Sequence, residues 1–375
     1  MDWILSSGNT IIAFLVVLTI LVYVHEWGHY WVAIKNNVRV KVFSIGFGPE
    51  IYGWTNKAGT RWKICAVPLG GYVRMFGQSD TDADGHEGDR LSPEDKAVSF
   101  AHKTLAQRAA IVVAGPMANF IFAAVLFAGL AAFVGTPNPL AGVGSVTPDS
   151  PAAAAGFEPG DRIVAIDGED VAYFSDLQRI VSARPGSLLS IEVERADGSN
   201  IVMQATPATV TDANGNEVGR IGISPDPEQV EYDKENPLYA LWFGIERTGT
   251  MIVAILQYVG DLFTGAQSTD GLGGPLKIAQ LSGEMASDGI VPLIIFMAAL
   301  SVNLGLINLF PIPMLDGGHL VFYAIEALRG RPLDERTQEY GFRFGLILVL
   351  VLFVFVTWND LESVGFFDFF KNLVG

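Results

Sequence analysis

Long apolar stretches without a single charged side chain recur along this sequence. Three of them cover residues 3–24, 109–134 and 289–315, and a shorter one covers residues 344–358. A helix needs about 20 apolar residues to cross a bilayer, and charged residues at its ends can reach back to the interface. The pattern therefore predicts a polytopic α-helical membrane protein with four transmembrane helices.

A fifth apolar stretch, residues 238–263, is ambiguous because it could also be long enough to cross. It contains Glu246, Arg247, Gln257 and Asp261. A helix that lies in the membrane surface keeps such side chains on its polar face. We therefore expect an amphipathic helix on the membrane, not a fifth span.

Apolar and polar positions alternate in residues 38–76, interrupted by Gly and Pro. A period of two is typical of β-strands, so we expect a membrane-associated β-hairpin or small sheet here. Residues 140–224 predict a compact α+β domain with a short helix ending at Gly156 and a second helix capped by Ser175. The Asp-Gly pair in "SLLSIEVERADGSNIVMQAT" predicts a hairpin turn.

Within that domain, "GFEPGDRIVAIDGEDV" resembles the core of a bacterial PDZ domain. Such domains bind extended peptides or chain ends by strand addition. The alternative is a generic small β-domain without that function.

Composition agrees with a membrane protein that also carries a polar part. The 375 residues are 50% hydrophobic and 17% charged, with a mean hydropathy of +0.35. The net charge is −16, and residues 135–236 hold 17 acidic against 6 basic residues, which argues against nucleic-acid binding. The single cysteine, Cys65, excludes an internal disulfide framework.

Lysine and arginine are concentrated in two loops. Residues 30–108 carry 11 of the 24 basic residues, and residues 329–343 carry four arginines. Basic loops stay on the cytoplasmic side of a membrane. With four spans, the N-terminus, the acidic α+β domain and the C-terminus are then expected outside.

The acidic segment "DTDADGHEGDRL" nearly fits a calcium-binding loop. Asp80, Asp82, Asp84 and Gly85 occupy positions 1, 3, 5 and 6, but Leu91 stands where a bidentate glutamate is needed. We interpret the segment as a solvated cytoplasmic loop.

Three ionisable residues, His25, Glu26 and His29, occur together in "HEWGH", directly after the first uncharged stretch and within the same apolar segment. Two histidines four residues apart share one face of a helix and can bind one metal ion, and the glutamate beside them can accept a proton from the attacking water. Structural histidines hydrogen-bonded between helices are the alternative. That alternative does not explain why all three ionisable residues occur together at membrane depth, where each is costly.

A catalytic zinc ion needs three protein ligands and an open position. Besides the HEWGH pair, the chain has His86, His102 and His319, and the first two lie in stretches expected to be solvated. Asp316 is the better candidate because it ends a long uncharged stretch, where a carboxylate is as costly as the histidines.

The segment "NLFPIPMLDGG" can direct Asp316 inward. Pro311 and Pro313 interrupt the helix, and the two glycines after Asp316 allow close packing. If residues 238–263 do not cross the membrane, the third span brings Asp316 to the same cytoplasmic side as HEWGH. The two distant motifs can then share one metal ion.

The motifs HEWGH, "AGPMANF", "GLGGPLKIAQ" and "NLFPIPMLDGG", in this order around a PDZ-like domain, strongly resemble the site-2 protease family. The resemblance is to its bacterial branch, the regulator of sigma-E protease type, and it covers nearly the whole chain. One departure is that the enterobacterial form has two PDZ domains in tandem, whereas only one is legible here.

The resemblance implies an intramembrane zinc metalloprotease of the bacterial inner membrane. Its Zn²⁺ ligands would be His25, His29 and Asp316, and Glu26 would be the catalytic base. Asn303 and Asn308 match asparagines that contact the substrate backbone. Residues 41–76 match a β-hairpin region that presents the substrate in extended form. Substrates would be single-span membrane proteins already trimmed outside, such as anti-sigma factors and signal-peptide remnants.

Two other classes of function compete with this interpretation. A non-catalytic membrane adaptor would not need the glutamate of HEWGH, and an ion transporter would be expected to show a repeat between its halves.

The predicted order of segments is as follows: first transmembrane helix, 1–36; cytoplasmic β region and acidic loop, 37–108; second transmembrane helix, 109–135; external PDZ-like domain, 136–230; external amphipathic helix and loop, 231–288; third transmembrane helix, 289–328; cytoplasmic loop, 329–342; fourth transmembrane helix, 343–359; external tail, 360–375.

Overall fold

The computed structural model describes residues 2–78, 91–211, 215–227, 229–267 and 273–363. The chain divides into two compact units. One comprises Met1–Gly129 with Leu241–Gly375, and the other is Leu130–Ala240.

The helices of the described residues include four long apolar ones and several short or amphipathic ones. Their bounds are α1 Asp2–Lys35, α2 Pro93–Val98, α3 Leu105–Phe133, α4 Pro151–Ala155, α5 Phe174–Ser182, α6 Pro237–Thr264, α7 Pro275–Asp288, α8 Ile290–Leu309, α9 Asp316–Arg329 and α10 Glu335–Ser363.

The strands lie in a hairpin of the first unit and throughout the second unit. Their bounds are β1 Val40–Thr55, β2 Arg61–Met75, β3 Thr136–Pro139, β4 Val143–Val146, β5 Arg162–Ile166, β6 Glu169–Asp170, β7 Leu189–Glu194, β8 Asn200–Ala205, β9 Ala208–Thr211, β10 Glu217–Arg220, β11 Ile223–Pro225 and β12 Val230–Asp233.

Four helices of the described residues are long and apolar enough to cross a membrane, as the sequence predicts. They lie within α1, α3, α8 and α10. Helix α6 is not among them. The predicted third span, 289–328, is not one helix: α8 ends at Leu309, and α9 begins only at Asp316. Two prolines in the intervening segment lack the N–H that a continuous helix requires.

The predicted cytoplasmic loop 329–342 is shorter in the structure, because α10 begins at Glu335. Asp334 precedes the helix, and its carboxylate accepts hydrogen bonds from the backbone N–H and the hydroxyl of Thr337. This N-cap satisfies a backbone donor that would otherwise be free, so polar residues form the first turns of the helix.

Helix α7 was not predicted separately from the loop that follows residues 238–263. It packs against α1 and α8. Asp360, near the end of α10, is buried and accepts hydrogen bonds from the backbone N–H groups of Gly274, Leu276 and Lys277. A carboxylate from a distant helix therefore caps the start of α7.

Strands β1 and β2 form a long, irregular antiparallel hairpin after α1. Stacked and edge-on rings connect it to α1: Tyr30 contacts Phe43 and Trp62, and Trp62 stacks on Trp54. Asn56, at the turn, donates a hydrogen bond to the hydroxyl of Tyr30. Aromatic burial and this hydrogen bond hold the hairpin along α1.

The base of this hairpin, the end of α1, the start of α3 and α9 share one apolar cluster. Its buried members are Ala33, Val38, Val40, Met75, Phe100, Ile111, Val112 and Tyr323. This cluster holds together the four elements that carry the candidate site.

The second unit is the predicted α+β domain. Its main sheet has the order β6-β5-β7-β8, and strand pairs β4–β11, β9–β10 and β3–β12 accompany it. Helix α4 ends at Gly156 in the left-handed conformation, and β7–β8 is the expected hairpin.

The prediction that Ser175 caps the second helix of this domain is wrong. Helix α5 begins at Phe174, and Asp176 accepts a hydrogen bond from the Tyr173 N–H. An acidic residue in the first turn supplies the cap in place of the serine.

The segment considered above for calcium, with Asp80, Asp82, Asp84 and Gly85, lies outside the described residues. His86 lies outside them as well.

Candidate metal centre

Helix α1 places the two imidazoles of HEWGH on one face, as the spacing requires. His25 and His29 are each 9% exposed, and their Nε2 atoms lie 3.2 Å apart. His29 Nδ1 lies 2.8 Å from the carbonyl oxygen of Ile111 in α3. A carbonyl only accepts hydrogen bonds, so it selects the tautomer with the proton on Nδ1 and leaves Nε2 with a free lone pair.

Asp316 is the first residue of α9, directly after the break in the third span. Met314 precedes it with a φ of 91°, a region that residues with side chains rarely adopt. Gly317 and Gly318 have no space for a Cβ, because carbonyls of the 309–312 segment lie against them. Close packing of the segment between α8 and α9 against the start of α9 therefore requires both glycines. This packing holds the carboxylate of Asp316 toward α1.

The three side chains form a nearly equilateral triangle of ligand atoms. Asp316 Oδ2 lies 3.2 Å from His25 Nε2 and 3.4 Å from His29 Nε2. Four-coordinate zinc with bonds of about 2.0–2.1 Å has ligand atoms about 3.3–3.4 Å apart, so the triangle fits one face of a tetrahedral site. No described residue donates a hydrogen bond to the buried Oδ2 atom. The donor set is thus suited to zinc.

Glycine at position 115 makes room for the triangle. A Cβ there would overlap His29 Nε2 and lie 2.9 Å from His25 Cε1. Helix α3 can therefore approach the imidazoles only because this residue has no side chain.

Glu26 lies on α1 beside the triangle and beneath strand β2. Its carboxyl group lies near the backbone of Val73. Gly71 lets β2 lie close to α1, because a Cβ there would lie 3.0 Å from Val22 Cγ1 of that helix. The strand thus positions the carboxyl group next to the candidate ligands.

A cavity of about 600 Å³ contains this site. The triangle and Glu26 line it together with Tyr72 and Val73 of β2 and with Asn308 of α8. Asn308 donates a hydrogen bond to the Leu304 carbonyl, which leaves its amide oxygen for other partners. Asn303 does not line the cavity.

The other two described histidines occupy different positions. His319 lines the cavity one turn after Asp316, and its ring lies against Phe342. His102 is exposed, with Nδ1 3.1 Å from the hydroxyl of Ser99. Among the described residues, the cluster able to hold a metal ion consists of His25, His29 and Asp316.

Sequence reasoning gave no role to α3, which contacts both imidazoles. Asn119 is fully buried, and its Nδ2 lies 3.3 Å from His25 Nδ1. The signal was present in "AGPMANF": a glycine and an amide four residues apart lie on one face of an otherwise apolar helix.

Membrane-length helices that enclose two histidines, an aspartate and a glutamate in one cavity are typical of an intramembrane metalloprotease. Comparison with known proteins agrees. Residues 13–352 match the model of peptidase family M50. The chain belongs to this family, and it is a zinc metalloprotease.

Two relatives and one solved structure illustrate the similarity. "Putative zinc metalloprotease Atu1380" of Agrobacterium fabrum is 47% identical, over 94% of this chain and 96% of its own length. The regulator of sigma-E protease RseP of Salmonella typhimurium is 32% identical, over 93% of this chain and 97% of its own length. The PDZ domain of the SdrC-like protein Lin2157 from Listeria innocua is 23% identical over 26% of this chain and 99% of its own, with a TM-score of 0.21, too low to support a conclusion.

The alignment with RseP extends over 448 positions, whereas this chain has 375 residues. At least 73 positions of that relative therefore have no counterpart here.

Proposed function

We propose that this zinc metalloprotease cleaves the transmembrane segments of single-span membrane proteins whose external parts have already been trimmed. His25, His29 and Asp316 would hold the zinc ion. The observation that supports this is the triangle of ligand atoms, 3.2–3.4 Å on each side, at the end of a membrane-length helix. Ionisable groups at that depth are costly unless another charge compensates them. A shared cation would stabilise all three side chains.

When bound there, zinc supplies a Lewis acid for peptide hydrolysis. Glu26 would act as the base that takes the proton of the attacking water and passes it to the leaving amide nitrogen. Its position supports this role, because it lines the same cavity and follows a candidate ligand directly in α1.

Strand β2 would hold the substrate open for attack. Peptide bonds of a transmembrane helix are occupied by their own hydrogen bonds, so the helix must unwind first. Residues 71–75 of β2 pair with β1 on one side, which leaves their other edge without a strand partner in the described sheet. Tyr72 and Val73 of this segment line the cavity. An extended substrate segment could pair along such an edge. Asn308 would contact its backbone in the cavity, and Asn303 is proposed to assist from the same helix.

The acidic PDZ-like domain would lie in the periplasm and exclude substrates with bulky external domains, while HEWGH and Asp316 lie toward the cytoplasmic side of the inner membrane. The distribution of basic residues in the loops supports this orientation. The name of the Salmonella relative, a regulator of sigma-E protease, supports anti-sigma factors as substrates and a role in stress response; signal-peptide remnants are proposed as a second class.

Purified protein in lipid vesicles should cut a single-span model substrate within its apolar segment, as mapped by mass spectrometry of the products. Asp316→Asn keeps the size of the side chain but loses the charge, so zinc content and cleavage should both fall at least tenfold. His102→Ala, at an exposed histidine outside the cluster, should leave both at the wild-type level.

Cleavage confined to soluble peptides would contradict the intramembrane function. Zinc content that survives in Asp316→Ala but is lost in His102→Ala or His86→Ala would place the third ligand in the cytoplasmic loop instead.

The orientation can be measured by cysteine labelling, because replacing the buried Cys65 by alanine gives a background without thiols. A membrane-impermeant reagent should label Glu94→Cys and Arg331→Cys only from the cytoplasmic side, because both belong to the basic loops. It should label Ser187→Cys and Gln267→Cys only from outside. Cytoplasmic labelling at Gln267→Cys would mean that α6 crosses the membrane, and the two halves of the site would then face opposite sides.

A further inference from the structure

The two candidate histidine ligands differ in how their second ring nitrogen is held. His29 Nδ1 faces a backbone carbonyl, which can only accept a hydrogen bond. His25 Nδ1 faces the side-chain amide of Asn119, which offers either an oxygen that accepts or a nitrogen that donates. The same helix, α3, therefore supports both imidazoles, but with different chemistry.

The surroundings of Asn119 hold its backbone but leave the amide free to turn. The residue is 0% exposed, and the Ser301 hydroxyl donates a hydrogen bond to its backbone carbonyl at 2.8 Å. The amide end that points away from His25, Oδ1, is buried and has no hydrogen-bond partner among the described residues. No neighbour within the described chain thus selects one orientation of the amide. The orientation of the amide therefore depends on its side-chain partner, His25.

The tautomer of His25 determines which end of the amide is required. The Nε2 atom of His25 points to Asp316 and His29, so a metal bound in the triangle takes the lone pair of Nε2. The ring proton must then lie on Nδ1. An N–H on Nδ1 cannot face the amide N–H groups, because both are donors. Half a turn of the carboxamide presents Oδ1 to the imidazole and resolves the conflict.

We infer that Asn119 is a positioning residue for metal binding: its Oδ1 accepts a hydrogen bond from His25 Nδ1–H and fixes the tautomer that directs Nε2 to the metal. This inference rests on the proposed function only in taking His25 as a ligand. It gives α3 a matched pair of acceptors, the Ile111 carbonyl for His29 and the Asn119 side chain for His25. Gly115 lies midway between them and allows the close approach.

The test compares an acceptor-only residue with apolar ones at position 119. Asn119→Leu has a similar size and no acceptor, whereas Asn119→Asp has acceptors and no donor. The Zn²⁺ dissociation constant of each detergent-purified variant is measured by competition with a chelating dye. Asn119→Leu should weaken Zn²⁺ binding about 10–100-fold, as is usual when the partner of a metal-bound histidine is lost. Asn119→Asp should stay within about threefold of the wild type, because the acceptor is kept.

Ser301→Ala is the matched control for helix packing, since it removes the hydrogen bond to the Asn119 backbone but leaves the amide in place. It should not change the Zn²⁺ dissociation constant. If Asn119→Leu cannot be purified in folded form, Asn119→Ala replaces it, and the rise in melting temperature on adding Zn²⁺ gives a second readout. That rise should shrink in the apolar variant and persist in Asn119→Asp.

Two results would overturn the inference. Equal weakening in Asn119→Asp and Asn119→Leu would mean that the amide acts through its N–H groups. Wild-type affinity in the apolar variants would mean that Asn119 does not position His25 at all. His25→Ala separates these outcomes from a failure of the proposed site: if that variant still binds one Zn²⁺ with wild-type affinity, His25 is not a ligand and the proposed site itself fails.

Discussion

Glu26→Gln should retain zinc at the wild-type level and lose hydrolysis of a single-span substrate by about 10²–10⁴-fold, the usual contribution of a general base. The amide has almost the shape of the carboxylate, and it can still meet the backbone of Val73 in β2. It cannot accept a proton from water at neutral pH. Zinc analysis of the purified variant and single-turnover cleavage in vesicles measure the two quantities separately.

Glu339→Gln is a matched control for the loss of a glutamate charge. Glu339 pairs with Arg343 on the exposed side of α10 and does not itself line the cavity. Its activity should not change by more than about twofold, since exposed ion pairs contribute little. Full activity in Glu26→Gln would exclude this glutamate as the base, even if the zinc site proved right.

Unlike Glu26→Gln, the variant Gly115→Ala should lose both zinc and activity. The added methyl group would overlap His29 Nε2 and crowd His25 Cε1. The His29 ring cannot turn away freely, because its Nδ1 is held by the Ile111 carbonyl. We expect an about 100-fold weaker Zn²⁺ affinity, at the upper end of the range that loss of a supporting contact costs. Chelator competition gives the affinity, and circular dichroism shows whether helix content is kept.

Gly129→Ala makes the same chemical change three to four turns later in the same helix, at a position where a Cβ would meet nothing within 4 Å. It should bind zinc and cleave substrate as the wild type does. If Gly115→Ala also binds zinc normally, α3 does not approach the imidazoles as closely as the structure has it, and the Asn119 contact would fail with it.

Much of the fold could be predicted from local features of the sequence. The four membrane-length helices follow from uncharged stretches of the required length, and the hairpin β7–β8 follows from alternation around an Asp-Gly turn. The juxtaposition of His25, His29 and Asp316 was expected because desolvation makes each ionisable group costly at membrane depth, so that distant ones are tolerated best together. Period, length and desolvation cost are properties of short segments, so the sequence is sufficient to predict these features.

Helix boundaries are harder to predict from the local sequence. Whether an end continues depends on what satisfies its free backbone groups. Asp334 lets α10 begin within a stretch predicted as loop, and Asp360 caps α7 from 83–86 residues away in the chain. Asp176, rather than Ser175, caps α5.

The lengths of the uncharged stretches, the apolar periodicity and the positions of the ionisable residues are enough to predict the class of membrane protein, the α+β unit and the ionisable residues that need a common partner. The surroundings of these residues depend on how the helices pack in the folded protein. Gly115 and Asn119 stand in an apolar stretch like many others, and their importance arises because α3 packs antiparallel against α1 at the two imidazoles. Packing of two helices joins residues about 90 positions apart, and no local period encodes which faces will meet.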